Sequence, residues 1–383
     1  MRRNILRIKK SDLEYLFLSF YFAISPISKL LEKIWIPRPA TYIVMLMALA
    51  IYIINRFKIL ERKIDVFIAF LLLTPITLYA VIFRHADFNS PNEMYAMIII
   101  FYPAYFIVRT SNVDKLIRAL KTSAYISLAI YLPNAFIVEN IRNQYITYGY
   151  DILLPLSIIL YYAITEKNWY DMIISIVGTI MLAIFGSRGA LISLALFYIY
   201  IIISQNGKKR IRNTIWVLLV VLVVLIAYSN LPSILSWLNR FGISSYALSR
   251  IANDQAFTSV TRGLLYEFII NELLPGNYLG YGPIGNRALM PVIRYQNQPY
   301  PHQLFLEILI DYGLVLGVIF SIMIIYVVTY MLIKSKEKFR YLTGLFCVVS
   351  LFPLMLSGSF YASGTIPYIF AIYMKYKEES LNQ

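Results

Sequence analysis

An all-α polytopic membrane protein with about twelve transmembrane helices and one large outer loop is the fold class this sequence predicts. Its composition, the spacing of its apolar runs and the alternation of its basic residues all point there. Of 383 residues, 59% are apolar, 16% aromatic and only 14% charged, and the mean hydropathy is +0.66. Soluble domains carry about a quarter charged residues. A soluble core of this length leaves too much surface to hide so many apolar side chains. The solvent for most of the chain is therefore lipid, which excludes a cytosolic enzyme, a secreted disulfide module and a disordered chain. The single cysteine, Cys347, allows no intrachain disulfide and reads as a small buried hydrophobe.

A bilayer core of roughly 30 Å needs about 20 apolar residues per helix. Runs of that kind fall near 13–31, 38–54, 64–83, 92–108, 116–138, 150–165, 169–186, 189–204, 213–229, 304–333, 341–357 and 359–374. The sixth and the last are short. The expected organisation is a bundle of about nine helices over 1–229, a large outer loop over 230–301 and about three helices over 302–383. The basic N-terminus and the run at 13–31 could be taken for a signal peptide. No small-x-small cleavage site closes the run, so an uncleaved first span is expected.

The net charge of +15 would suggest nucleic acid in a soluble protein. Following the predicted spans, 24 of the 35 Lys and Arg residues lie on one side of the membrane. They cluster around Arg2–Lys10, Arg56–Lys63, Arg109–Lys121, Lys167, Lys208–Arg212, Lys334–Arg340 and Lys375–Lys377. The positive-inside rule puts that side, and both termini, in the cytoplasm. Nucleic acid is not needed to explain the charge.

The outer loop is unusually long for a connection, and loops of that length are functional or disordered. Trp237, Phe241, Tyr246, Tyr266, Phe268 and Tyr278 give it material to pack. Its basic residues are Arg240, Arg250, Arg262, Arg287 and Arg294, with no lysine. A guanidinium is a planar, permanently charged fork matched to phosphate oxygens, whereas an ammonium is a point charge. Anchoring to lipid headgroups accounts for any one of these arginines. The set together favours phosphate or pyrophosphate recognition. Leu279-Gly280-Tyr281-Gly282-Pro283-Ile284-Gly285 lacks the Lys and Ser/Thr of a P-loop. It reads instead as a tight turn in which Gly282 lets backbone approach a sugar or phosphate.

The segment from Pro299 to Gly313 leads into the tenth span. Pro301 suits a first helical turn. From Leu304 to Ile333 a helix would run about 45 Å, some ten residues more than the hydrocarbon core requires. The expected solution buries 314–333 and leaves His302 to Gly313 at the outer surface or in a wet cavity. His302 is one of two histidines, the other being His85, and imidazole is the usual general base near neutral pH. An interfacial histidine bonded to backbone is the alternative. Glu307 and Asp311 share a helical face, but His302 lies far round the helix from both. A partner orienting His302 must come from elsewhere.

Arg188, in Gly186-Ser187-Arg188-Gly189-Ala190-Leu191, falls at the outer turn between spans seven and eight. There it either snorkels from a helix end or holds a lipid-linked phosphate. At mid-depth the predicted spans carry no Asp, Glu, Lys, Arg or His, and no inverted repeat is visible, which argues against an ion-coupled transporter. No HExxH, no paired cysteines and no DxD in the outer loop point to a metal, so a metal-independent site without cofactor is expected.

With these residues assembled, the chain resembles the O-antigen polymerase and O-antigen ligase superfamily. The match rests on Ser187-Arg188-Gly189-Ala190-Leu191, Thr261-Arg262-Gly263-Leu264-Leu265-Tyr266, Leu279-Gly280-Tyr281-Gly282 and His302-Gln303-Leu304-Phe305-Leu306-Glu307 with Tyr312-Gly313. It covers about residues 180–320; the first half agrees only in hydropathy. The resemblance implies a GT-C-like bacterial inner-membrane glycosyltransferase whose donor is an undecaprenyl-pyrophosphate-linked glycan. By the same resemblance, His302 activates the acceptor hydroxyl, and Arg188 and Arg262 bind pyrophosphate. Arg287 or Arg294 is a further phosphate ligand, with Glu307 and Gly282 in support. The family more often has Asn after the histidine; Gln303 departs from that but keeps an amide.

The expected activity is an inverting, metal-independent polymerisation of lipid-linked repeat units into O-antigen or capsular polysaccharide, with a chain-length regulator as a candidate partner. The Ile- and Tyr-rich bundle looks more like the polymerases. A ligase transferring glycan to lipid A-core is the alternative. A non-enzymatic flippase of lipid-linked oligosaccharide is a rival of another class; it predicts a charged central cavity and no need for His302.

Overall fold

The computed structural model describes residues 10–33, 103–137, 141–204, 229–241, 260–282, 285–289, 301–359 and 364–381, with a few isolated positions between them. Among the described residues every regular element is a helix and none is a strand. The expected spans near 38–54, 64–83 and 213–229 and most of that near 92–108 lie outside the described residues. Tyr145–Glu166, Leu304–Lys334 and Glu337–Leu356 are long and apolar enough to cross a membrane, and Leu13–Phe22, Trp169–Phe185 and Arg188–Ile203 are shorter apolar helices. The chain divides into two compact units, Met1–Met45 with Ser111–Ala256 and Leu46–Thr110 with Phe257–Gln383.

The first unit holds α1 (Lys10–Phe22), α2 (Ile24–Lys33), α3 (Val113–Ile137), α4 (Ile141–Glu166), α5 (Trp169–Phe185), α6 (Arg188–Ile203) and α7 (Leu231–Arg240). The single first span expected over 13–31 is instead two helices meeting at Ala23. Pro26 has no N–H to return to Phe22, so the ladder is interrupted there. The sixth span is also longer than expected. α4 begins at Ile141 rather than near 150, because Asp151, whose charge marks a span boundary in the sequence, is paired with Lys29 of α2. Lys29 in turn lies 5.4 Å from the Tyr131 ring of α3.

α5 shows how the bundle sorts its side chains. Asn168 caps its start, accepting from the Tyr170 N–H at 3.1 Å. Ser175, Gly178, Leu182 and Phe185 face inward, while Met172, Ile173, Ile176 and Ile180 are each at least half exposed. Ser175 and Gly178 let neighbouring helices approach closely, and the outward face of large apolar side chains suits a helix packed in lipid. Fully buried Asp171 accepts from the Tyr125 hydroxyl and sits 3.4 Å from the Lys121 ammonium, so its charge is compensated.

The second unit contains helical residues 103–110, α8 (Val260–Phe268), which continues into a π-helical turn at Ile269–Leu273, and α9 (Gly285–Leu289). Then come α10 (Leu304–Lys334), α11 (Glu337–Gly344), a second π segment at Leu345–Leu351, α12 (Phe352–Leu356) and α13 (Thr365–Leu381). α10 is broken at Gly313, which has φ 75° and ψ 174°. The length argument in the sequence divided the run at the same residue, by membrane depth, but did not foretell a break in the helix. Beyond it Val315, Ile319, Ile322, Ile325 and Ile333 are more than half exposed, again an apolar face that suits lipid. Arg109 pairs with Glu378, and the Lys375 ammonium donates to the Arg109 carbonyl at 3.4 Å. Residues that the charge count assigns to one membrane face thus meet.

Candidate functional site

The break in α10 is built by a turn that docks on it. The Tyr281 and Gly282 N–H groups donate to the Ile310 and Asp311 carbonyls at 2.9 Å each, and the Leu314 N–H donates to the Asn277 carbonyl at 2.8 Å. The Asn277 amide adds a bond of 3.0 Å to the Ile310 carbonyl. Gly280, Gly282 and Gly313 all have positive φ, which glycine alone adopts without strain. The backbone that Gly282 allows to come close is the protein's own, at Asp311. Asp311 then fixes α9: its carboxylate accepts from the Asn286 N–H at 2.8 Å and from the Asn286 side-chain amide at 2.6 Å.

α8 lies against the same part of α10. Leu265, Ile269 and Leu273 recur every fourth residue and are buried with Ile310, with Tyr266, Tyr281 and Leu306 packed around them. Each buried aliphatic of this kind contributes about 1.5–3 kcal/mol. Packing of α8 and tethering of α9 therefore fix where Arg262 and Arg287 begin.

Both arginines end on one short segment, Leu356 to Ser359. Arg262 Nη1 donates to the Leu356 carbonyl at 2.6 Å, and Arg287 Nη2 donates to the Ser359 hydroxyl at 2.8 Å. That hydroxyl donates to Glu307 Oε1 at 2.7 Å, and the guanidinium stands 3.8 Å from the same oxygen. Glu307 is fully buried.

His302 reaches the segment too. Its Nδ1 lies 3.1 Å from the Ser357 carbonyl. In the neutral ring the Nδ1–H donates there, which leaves the lone pair on Nε2. The orienting partner that Glu307 and Asp311 could not supply is this carbonyl. Burial holds the imidazole below its ordinary value near 6.5, and the charges of Arg262 and Arg287 add to that; the bond to Ser357 works against it. The ring is the neutral, base-competent form at neutral pH. His302 has φ 56°, a conformation uncommon outside glycine and costly by about 1–2 kcal/mol, of the kind that clusters at functional sites.

Gln303 is the N-cap of α10, its side-chain oxygen accepting from the Leu306 N–H at 2.5 Å. Pro301 precedes this cap and so lies outside the helix, not in its first turn as expected.

Among the expected site residues, Arg262, Arg287, His302 and Glu307 therefore converge on residues 356–359. Arg294 lies outside the described residues. Arg188 belongs to the first unit, where it is the first residue of α6 behind the N-cap Ser187, whose hydroxyl accepts from the Ala190 N–H at 3.3 Å. Sequence reasoning missed Ser357 and Ser359. Their only signal is a small polar triplet, Ser357-Gly358-Ser359, in the narrow gap between two apolar runs. Among the described residues, no group of three or more His, Cys, Asp or Glu could hold a metal ion.

Helices long and apolar enough to cross a membrane, with a histidine and two guanidinium groups gathered beside one helix break, describe a membrane protein with a polar cluster at one helix break. Residues 173–321 are similar to the family described as O-antigen ligase. The match spans α5, α6, the loop region and the first half of α10, as the sequence resemblance anticipates. No curated protein and no solved structure matches the chain.

Proposed function

We propose that this protein is an inverting glycosyltransferase of the bacterial inner membrane that polymerises undecaprenyl-pyrophosphate-linked repeat units into O-antigen or capsular polysaccharide. In this reading about nine N-terminal and about three C-terminal helices bracket a periplasmic or extracellular loop, with both termini cytoplasmic. A sugar hydroxyl of the acceptor attacks the anomeric carbon of the donor glycan. The hydroxyl proton passes to Nε2 of His302, the bond from the anomeric carbon to the phosphate oxygen breaks, and undecaprenyl pyrophosphate leaves. Arg262 and Arg287, with Arg188 and Arg294, hold the diphosphate and offset the negative charge that grows on it. No metal is required by this scheme, and a chain-length regulator is the expected protein partner.

The convergence of His302, Arg262 and Arg287 on residues 356–359 is the observation that supports this reading. The family description favours a second one, transfer of the finished glycan to lipid A-core by a ligase. Deletion of the gene, with the surface glycan then run on a gel, separates them. Single repeat units on the final acceptor support the polymerase. Long chains left on the carrier support the ligase. Repeats trapped inside the cell, with normal function restored by a His302→Ala gene, would overturn both in favour of a flippase.

A further inference from the structure

The end of α10 remote from His302 carries charge that the fold does not neutralise. Lys29, Lys115, Lys121 and Arg109 are matched by Asp151, Glu14, Glu166 and Glu378. Among the described residues no carboxylate pairs with Lys334 or Lys377. Glu378, next to Lys377 in sequence, is taken by Arg109.

The two lysines flank a groove. Tyr326, Thr329, Tyr330, Ile333 and Lys334 line a space of about 190 Å3 along one face of α10, with the three- and four-residue spacing of a single helical stripe. Tyr326 and Ile333 are 55% and 63% exposed, and they continue the outward apolar face of Ile319 and Ile322. From Tyr326 to Lys334 is about 12 Å along the axis, so the groove leads from the helix end back into the apolar span.

The charges are held in place by tyrosines. The Tyr330 ring packs against Tyr326, Tyr373 and Tyr376, with centroids 5.9, 5.8 and 6.4 Å apart. Aromatic rings gathered at one level of this kind mark a membrane–water interface. The Tyr376 hydroxyl donates to the Lys334 carbonyl at 2.8 Å, which ties α13 to the end of α10. The Lys377 ammonium donates to the Tyr330 hydroxyl at 3.0 Å and lies 4.4 Å from the centroid of that ring. A snorkelling lysine swings freely. Lys377 is instead held at the groove, with two of its three N–H groups left for another acceptor, so less ordering is needed when a ligand arrives.

We infer that this end of α10, with α13, is a site for one anionic glycerophospholipid of the adjoining leaflet. An acyl chain lies along Tyr326, Thr329 and Ile333, and the phosphodiester sits between Lys334 and Lys377. Basic sites between spanning helices suit such headgroups. One ammonium suffices to meet a phosphate; the second repels the cation of a choline or ethanolamine headgroup, which makes the site selective for net negative charge. The site does not depend on the proposed reaction.

The test titrates full-length protein in detergent with phosphatidylglycerol or with phosphatidylcholine of the same chains, and reads bound lipid by native mass spectrometry. The wild type should take up one phosphatidylglycerol in preference to phosphatidylcholine. Lys334→Gln and Lys377→Gln should each weaken that binding about five-fold, the usual contribution of one basic residue to an anionic lipid surface, and the double variant about twenty-five-fold. Phosphatidylcholine binding and the thermal midpoint should stay unchanged. Lys167→Gln removes an exposed charge elsewhere and should have no effect. Thr329→Phe fills the exposed groove with both charges intact and should also weaken phosphatidylglycerol binding.

Wild-type phosphatidylglycerol binding in the double variant would overturn the inference. Equal loss in Lys167→Gln would reduce the effect to overall charge and overturn it too. So would equal loss of both lipids in the lysine variants, which would leave a groove for acyl chains alone. Undecaprenyl phosphate that displaces phosphatidylglycerol from the wild type and binds more tightly would assign the site to the carrier instead. A dimer that the double variant abolishes would assign it to a second copy of the chain.

Discussion

Gly280 and Gly313 meet backbone against backbone, with φ of 85° and 75°. A Cβ on either would fall on main-chain atoms of the other's strand of chain: Asp311 and Gly313 on one side, Tyr278 and Gly280 on the other. Gly313, with ψ 174°, is in a region of backbone space that is essentially glycine-only. Gly313→Ala is therefore expected to cost about 3 kcal/mol or more, from the strained conformation and the clash together. Straightening of α10 would also carry His302 and Glu307 away from residues 356–359. A lowered thermal midpoint with loss of transfer is the expected result; a stable, active alanine variant would show that the break is not needed.

His302 supplies a pH dependence. Its folded pKa lies below the unfolded value near 6.5, first through burial and then through Arg262 and Arg287. Protonation removes the base, so transfer should hold as pH falls to 6.5 and decline only below it. Arg262→Gln removes one opposing charge, raises the histidine pKa and moves that acidic limb upward. Because the folded pKa is depressed, the neutral imidazole stabilises the fold above pH 6.5, and that contribution is lost as pH falls through the folded pKa. A rate profile and a melting curve against pH check both. A limb that does not move in Arg262→Gln would remove the guanidinium from the histidine's surroundings.

At Arg262 the geometry separates charge from shape. Nη1 donates to the Leu356 carbonyl at 2.6 Å, and the planar fork directs its other N–H groups in fixed directions. Lysine keeps the charge but not the fork. Arg262→Lys should lower kcat/KM by at least about ten-fold with little effect on the thermal midpoint, and Arg262→Gln should do worse. Full activity of the lysine variant would leave phosphate recognition at this position without support.

Much of this was legible before any coordinates. α5 and α6 start and stop within a residue or two of the apolar runs that announce them, whereas the surplus length of the run after His302 marked off 302–313 without foretelling the break at Gly313. Arg262, Arg287 and Glu307 stood out because charges are rare in so apolar a chain. The pairing of Asp151 with Lys29 was hidden, since a lone acid in sequence looks like the end of a span until a partner from another helix compensates it. The split at Ala23 followed from Pro26, a local signal overridden by the strong hydropathy around it. Ser357 and Ser359 could not be found, because one contributes a main-chain carbonyl and the other a hydroxyl whose meaning depends on three residues brought together from distant positions.

Gly149 offers a test of the first unit that does not depend on the second. It lies on α4 where that helix meets the turn before Arg188. A Cβ there would be 2.6 Å from the Ser187 N, 3.1 Å from the Ser187 Oγ and 3.3 Å from the Ala190 Cβ. The nearest atom is backbone, which cannot swing aside, so Gly149→Ala must push α4 and the start of α6 apart. The nearby contact of the Tyr148 and Phe185 rings, 6.4 Å between centroids, opposes that movement. The cost is about 1–3 kcal/mol, the usual range for overpacking, and the cap that Ser187 gives to Ala190 is disturbed as well. Ser187→Ala is the comparison, since it removes only the cap, worth about 1 kcal/mol. If Arg188 grips the lipid-linked phosphate, Gly149→Ala should raise the donor KM several-fold more than Ser187→Ala does, beyond the difference in their thermal midpoints. A KM that tracks stability alone in both variants would reduce Arg188 to an anchor at a helix end.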